Sequence, residues 1–495
     1  MRTSVHTNVV VNLIRTITMT LLSFITFPLM CRVLGDEMIG TFSWVTSFIY
    51  YFIVLSKISI PNIAVRECAK VKDDPVKLSM KIQEFFILQA VMTLLSFGIM
   101  CSIVFSVDAF KSELVQPMVF LISLNFLSSV FAFEWVFTAL EKHVYLAVRS
   151  VVILAVTDIL IFVFVKRPDD VILYTFLTTL VTLLTVISNI IYLPRLVKFK
   201  KVGRYNFKQY IPTLMTLFVI SFSVALYAKT DEFILGFIDQ SKASVGSYSV
   251  GMKGVDIVIG IVTALSAVFI PRASSYYASG DEKNFQNLNK YSANIAFIIV
   301  VPAIALMTTL AEPITGLISG SFVSNGFKDS NYVLITLCSL MLTYSLSNII
   351  YTQILIPKKQ ERLYLYTMLF GVTIDIGLSF LFGLVVFKNS PAVGIALATS
   401  ITDLLILISL IALTWKDTKA ILFNLNNLKI ILLGVLVAVF SFFVGPLLYK
   451  AFLNGGEEYA ALLEISIIFI ASVAIYSIGL IISKEKLTQS MRSRI

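Results

Sequence analysis

Four basic residues stand where the surrounding sequence is apolar: Arg15, Lys57, Lys229 and Lys253. A guanidinium or an ammonium in such a setting can hold the oxygens of a phosphate or diphosphate. The run ALYAKTDEFILGF, Ala225 to Phe237, places Lys229, Asp231 and Glu232 together in an otherwise uncharged stretch. Lys229 and Glu232 are three residues apart, so on a helix they share a face and can neutralise one another. Asp231 points about 200° away from Lys229 and needs a partner on another helix, with Lys253 the nearest by depth. The competing structural reading pairs Lys229 with Asp256 and Asp231 with Lys253, and lets Arg15 and Lys57 snorkel to the surface. Acids inside apolar runs relay protons or sodium in many transporters, or join helices by hydrogen bonds. Glu134, Asp158 and Glu464 are candidates of this kind, as are the lower-ranked Asp375 and Asp403.

The elements that must position these groups are membrane-spanning helices. Of 495 residues, 58% are hydrophobic and 14% charged, and the mean hydropathy is +0.90. Soluble domains carry roughly 25% charged residues. Apolar runs of about 20 residues recur along the chain, the length of a helix that crosses a bilayer. They divide into fourteen expected spans, near 9–33, 39–62, 84–107, 114–138, 144–165, 171–193, 211–238, 245–270, 291–312, 331–356, 363–387, 392–415, 428–450 and 460–483. The first run carries Arg15 and no small-residue cleavage site, so it reads as a span rather than a cleaved signal.

Cys31, Cys68, Cys101 and Cys338 are scattered and suggest neither a disulfide framework nor a metal site. No P-loop, HExxH or GxSxG motif is present, so no ATP site, metal, cofactor or hydrolytic centre is expected. The net charge of +10 is concentrated in alternate loops. Arg66, Lys70, Lys72, Lys77 and Lys81 follow span 2, Lys142 and Arg149 follow span 4, and Lys198, Lys200, Lys201 and Arg204 follow span 6. Loops rich in Lys and Arg stay in the cytoplasm and touch anionic headgroups. This places both termini in the cytoplasm, Arg2 and the basic tail Lys484–Arg494 included, and accounts for the charge without nucleic acid.

A repeat links the two halves. Leu34-Gly35, then Gly40-Thr41-Phe42-Ser43, then Ile60-Pro61 is echoed by Leu235-Gly236, then Gly246-Ser247-Tyr248-Ser249, then Ile270-Pro271. Parallel repeats of this kind predict an all-α polytopic protein with two six-helix lobes in a pseudo-twofold arrangement. The lobes are residues 1–208 and 209–420, followed by 421–495 with two further helices and a basic tail. Arg15 and Lys57 then form a layer toward the cytoplasm. Lys229 and Lys253 lie about 12–14 Å below the outer surface. All four are expected to face a water-filled cavity between the lobes, because lipid exposure costs about 2.5–3.5 kcal/mol or more per ion.

The stretch Cys31-Arg32-Val33-Leu34-Gly35-Asp36 with Gly40-Thr41-Phe42 and Val65-Arg66-Glu67 resembles polysaccharide repeat-unit flippases of the Wzx type. These belong to the multidrug/oligosaccharidyl-lipid/polysaccharide exporter superfamily. Phe133-Glu134-Trp135 with Ala139-Leu140-Glu141-Lys142, Tyr227-Ala228-Lys229-Thr230-Asp231, Gln353 to Pro357 and Gly394 to Thr399 are similar to later segments of that family. At helix 4, Thr138-Ala139 stand where the family often has Gln-Gly. The resemblance implies a non-enzymatic flippase of the bacterial inner membrane. It would carry undecaprenyl-diphosphate-linked oligosaccharide to the outer leaflet by alternating access, for O-antigen, capsule or a similar polymer. Arg15, Arg32, Lys57, Lys229 and Lys253 would bind the headgroup. Asp231, Glu134, Asp256 and Asp158 would couple to H+ or Na+ or pair the lobes. A polysaccharide polymerase and an initiating glycosyltransferase are expected partners. The alternatives are an ion-coupled multidrug exporter, whose cavity should be acidic, and a lipid II flippase. A membrane glycosyltransferase would need a large loop with catalytic acids, and the longest loops here are short and basic.

Overall fold

The computed structural model describes residues 5–197, 205–320, 322 and 326–483. Arg2, the basic group Lys198, Lys200, Lys201 and Arg204, and the tail Lys484–Arg494 lie outside the described residues. All regular structure among the described residues is helical. An apolar chain in lipid must satisfy its own backbone groups, and helices do so within each segment. Among the described residues, thirteen segments are long and apolar enough to cross a membrane. The first of them, Ile14–Lys70, is 57 residues long and holds the first two of the fourteen expected spans. Gly35 separates those two with φ 78° and ψ 176°, a conformation open essentially to glycine alone.

Contacts gather the chain into two compact units, Met1–Leu34 with Met38–Phe233, and Gly35–Glu37 with Ile234–Ile495. The first therefore includes most of the helix expected to open the second lobe at 209. Its helices are α1 (Val5–Lys57), α2 (Ile60–Lys70), α3 (Pro75–Ser106), α4 (Val115–Ser123), α5 (Asn125–Phe131), α6 (Glu134–Ala139), α7 (His143–Phe164), α8 (Val171–Tyr192) and α9 (Ile211–Ile238). The core joins Ile60, Ile63 and Cys68 of α2 to Ile82 and Phe85 of α3 and Phe137 of α6, all fully or almost fully buried. The outward faces are also apolar, with Leu94 72% and Val148 59% exposed, as lipid-facing surfaces are.

One carboxylate is buried in this unit with its acceptors satisfied. Glu84, 1% exposed, accepts from Asn206 N at 2.8 Å, Tyr210 Oη at 2.8 Å and Lys81 Nζ at 3.1 Å. Tyr205 Oη donates to Gln83 Oε1 at 2.7 Å. These bonds fasten Tyr205–Tyr210, just ahead of α9, onto α3.

The second unit holds α10 (Ala243–Ala278), α11 (Glu282–Thr309), α12 (Ala311–Ser319), α13 (Ser330–Ile349), α14 (Glu361–Leu381), α15 (Pro391–Leu413), α16 (Trp415–Leu422), α17 (Leu425–Phe452) and α18 (Glu457–Ile482). α13 packs on α10, α11 and α15, and is prolonged by a π-type turn over Ile350–Leu355. The last two spans belong to this unit, α17 packing on α11 and α18 on α12. Gly35–Glu37 group here as well. Phe327 N donates to Asp36 Oδ2 at 3.1 Å, and a Cβ on Gly246 would overlap the Asp36 carbonyl, so only glycine fits there.

Candidate functional site

Two helix breaks in the first unit bring charged side chains into play. α1 ends at Lys57, and Ile58 and Ser59 then take positive φ (39° and 58°) before Ile60-Pro61 opens α2. Proline suits that opening position, because its missing N–H has no helical partner there. Ser59 Oγ lies 2.9 Å from Ser221 Oγ, and Gln89 Nε2 donates to the freed Ser56 carbonyl at 2.7 Å. The second break is at Phe133 (φ 48°), immediately before Glu134 opens α6.

Each break sets a charge at a helix terminus. Lys57 is exposed at the end of α1 and within electrostatic range of Glu134. The Glu134 side chain is 42% exposed and accepts from Arg149 Nη2 at 2.5 Å. Arg149 corrects the sequence expectation. The charge pattern groups it with the cytoplasmic loop after span 4, yet it lies within α7 and is 7% exposed. Its Nη2 also donates to Ser150 Oγ at 2.9 Å. Lys57 has no acid nearby on its own helix, and the charge within its electrostatic range, Glu134, is supplied by α6 from across the unit. The signal for Arg149 was its position inside the expected span 144–165.

α9 carries the second charged group. Lys229 Nζ donates to Glu232 Oε2 at 2.9 Å, the pairing that the three-residue spacing predicts. Asp231, on another face, is 6% exposed. Tyr51 Oη contacts Thr230 Oγ1 at 3.5 Å, and the Tyr51 and Phe48 rings pack on Phe233. Arg15 is half-buried on α1 and Arg32 is exposed. Asp158 is 6% exposed and hydrogen-bonded to Thr26. In the second unit, Lys253 is half-buried and Asp256 exposed on α10. Asp403 there bonds to Thr343, and Glu464 is 5% exposed.

The turn joining α9 to α10 is also ordered by charge. Burial would raise the Asp239 carboxyl, but bonds from Ser244 N (2.8 Å), Ser241 N (3.0 Å) and Ser241 Oγ (2.8 Å) outweigh it and hold its pKa below the ordinary value. Burial lowers Lys242, partly countered by the Asp239 carboxylate.

Chemically, the first unit offers an exposed ammonium at Lys57 and two carboxylates, Glu134 and Glu232, each already paired to a cation. An arriving anion can compete with either carboxylate for its cation. Among the described residues no group of three or more His, Cys, Asp or Glu is placed to hold a metal ion.

Comparison with known proteins fits this architecture. A protein of Escherichia coli (strain K12) named "Putative O-antigen transporter" is 22% identical over 349 residues, 69% of this chain and 81% of the relative. Among solved structures, a lipid II flippase MurJ in an inward closed conformation superposes with a TM-score of 0.67 at 18% identity, covering 96% of this chain and 99% of its own. An outward-facing multidrug resistance MATE family transporter of the MOP superfamily gives 0.60 at 15% identity, covering 84% and 96%. These similar proteins are transporters and flippases rather than enzymes, and the fold they share with this chain is that of polytopic membrane carriers. The family model described as polysaccharide biosynthesis protein matches residues 5–277, more than half of the 495, and the chain therefore belongs to that family.

Proposed function

We propose that the protein is a flippase for undecaprenyl-diphosphate-linked oligosaccharide repeat units. It would move them from the cytoplasmic to the outer leaflet of the bacterial inner membrane by alternating access. The observation that carries this reading is the family match over 5–277, a range that includes Arg15, Arg32, Lys57, Lys229 and Lys253. We assign those cations to the anionic headgroup in the course of transport. Arg and Lys bind phosphate oxygens well, and their cost inside a membrane argues for a use. Glu134 and Asp231 are the proposed sites of coupling to an H+ or Na+ gradient, with Asp158 and Asp256 helping to pair helices. A polymerase and an initiating glycosyltransferase would act beside it.

The multidrug-exporter reading is less favoured, because a cation substrate would meet Arg15, Lys57, Lys229 and Lys253. The lipid II reading differs only in the glycan. A deletion strain decides between them by which lipid-linked glycan accumulates on the cytoplasmic leaflet. Lys229→Ala should abolish export of that glycan at normal membrane levels, whereas Lys229→Arg should retain part of it. Export at the parental rate by Lys229→Ala would overturn the assignment. Coupling fails if flipping in vesicles is unchanged once ion gradients and membrane potential are collapsed.

A further inference from the structure

The face formed by α7 and α8 carries a groove of about 730 Å³, within the range of small-molecule sites. Val148, Val152 and Ile187, each more than half exposed, line it. Four polar residues also line it: Tyr145, Arg149, Ser188 and Tyr192. The Tyr145 and Ser188 hydroxyls satisfy each other at 2.9 Å, but Arg149 is only partly satisfied. Its Nη2 is used by Glu134 and Ser150, while Nε and Nη1 meet no acceptor among the described residues. A buried guanidinium with two unmatched nitrogens is costly unless a further acceptor arrives.

The direction of that arginine matters. Long side chains on a helix lean toward its N-terminus. The bond to Glu134, which precedes α7 in the chain, agrees with this. Arg149 is thus directed toward the end of the groove marked by Val144 and Tyr192. Two exposed cations stand at that end. Lys142 directly precedes α7, and the Arg195 guanidinium lies 5.9 Å from the Tyr192 ring centroid. The neighbouring acids are engaged elsewhere, Glu141 with Lys72 at 2.7 Å and Glu134 with Arg149.

An apolar trough with a cationic end matches one kind of molecule. We propose that this groove binds an acidic phospholipid of the surrounding bilayer. One acyl chain would lie along Val148, Val152 and Ile187, and the phosphate would lie at the end marked by Lys142, Arg195 and Arg149. A soluble phosphate would leave the walls uncovered, and a zwitterionic lipid would leave the cationic end unbalanced. The groove adjoins the proposed transport machinery only through Arg149, which also holds Glu134, and the proposal does not rest on the function proposed above.

The test uses the full chain in phosphatidylcholine vesicles. A trace of phosphatidylglycerol or phosphatidylcholine bearing a photoactivatable diazirine on its acyl chain is added, and labelled peptides are mapped. The phosphatidylglycerol probe should label residues 143–153 and 184–192 several-fold more than the phosphatidylcholine probe. Each of Lys142→Ala and Arg195→Ala should lower that labelling about five-fold, the weight of one basic residue near an anionic lipid. Val148→Trp should fill the groove and remove the label from both segments. Equal labelling by the two probes overturns the proposal, as does phosphatidylglycerol labelling that survives Lys142→Ala/Arg195→Ala or Val148→Trp.

Discussion

Two helix pairs built from similar sequence are broken in opposite places. Ser56-Lys57-Ile58-Ser59-Ile60-Pro61 and Ser266-Ala267-Val268-Phe269-Ile270-Pro271 share the pattern Ser-x-x-x-Ile-Pro. In each, a buried glutamine amide from another helix reaches the serine carbonyl, Gln89 to Ser56 at 2.7 Å and Gln353 to Ser266 at 3.4 Å. Yet the first segment breaks before its proline, while the second runs through Pro271 inside an unbroken α10. At the other end the order reverses. α1 passes its bend at Gly35 with no intervening loop, whereas α9 and α10 are separated by the turn Asp239–Lys242. A proline inside a helix removes one hydrogen bond but does not by itself dictate a break. What differs is the filling between serine and proline. Ser59 adopts a left-handed conformation and contacts Ser221, and Ile58 and Ile60 bury their side chains, together offsetting strain that Ala267-Val268-Phe269 never incur. The break leaves Lys57 exposed at a helix end, where the second segment has only alanine.

Within this comparison the largest effect should come from that lysine. On the proposed function, Lys57→Ala is expected to cut glycan export by tenfold or more without loss of protein from the membrane, whereas Ala267→Ser in the matching position should leave it unchanged. Equal behaviour of the two would erase the functional contrast. Gly35→Ala should destabilise by about 1–3 kcal/mol through backbone strain alone, read as a lower melting temperature in detergent. Gln89→Ala should cost about 1–3 kcal/mol, because the Ser56 carbonyl is left unmatched at a true break. Gln353→Ala should cost less at Ser266, whose carbonyl sits within a continuous helix; a larger loss there would reverse the comparison. The smallest change belongs to Asp239→Asn, about 0.5 kcal/mol at neutral pH, since water screens part of that cap. The folded pKa of Asp239 is depressed, so its contribution is full above the unfolded value and fades as pH falls through the folded one. Melting curves of Asp239→Asn should accordingly converge on the parent at low pH.

Much of this was legible beforehand. Span positions follow from apolar runs, because lipid enforces them. Lys229 and Glu232 follow from helical spacing. The rest depended on long-range packing. Nothing in Phe133-Glu134-Trp135 codes for positive φ at a phenylalanine. That turn is supported by the Phe86 ring stacked 5.6 Å from Phe133. Glu134 bonds to Arg149 and comes within electrostatic range of Lys57 only because the two breaks face one core. Arg149 was visible as an arginine inside a span, but its resemblance to the neighbouring loop cations hid its burial.

The bonds that Glu84 makes have a consequence for how the chain could be divided. They attach Asn206 and Tyr210 to α3 without using the peptide bonds between Val197 and Tyr205. A gene split between those codons would yield two polypeptides, the first carrying α3 with its carboxylate, the second beginning with the segment that satisfies it. Fragment complementation at that point needs no new interface, and Glu84→Ala should impair the split protein more than the intact one, because in the latter covalent linkage still holds α9 close at hand.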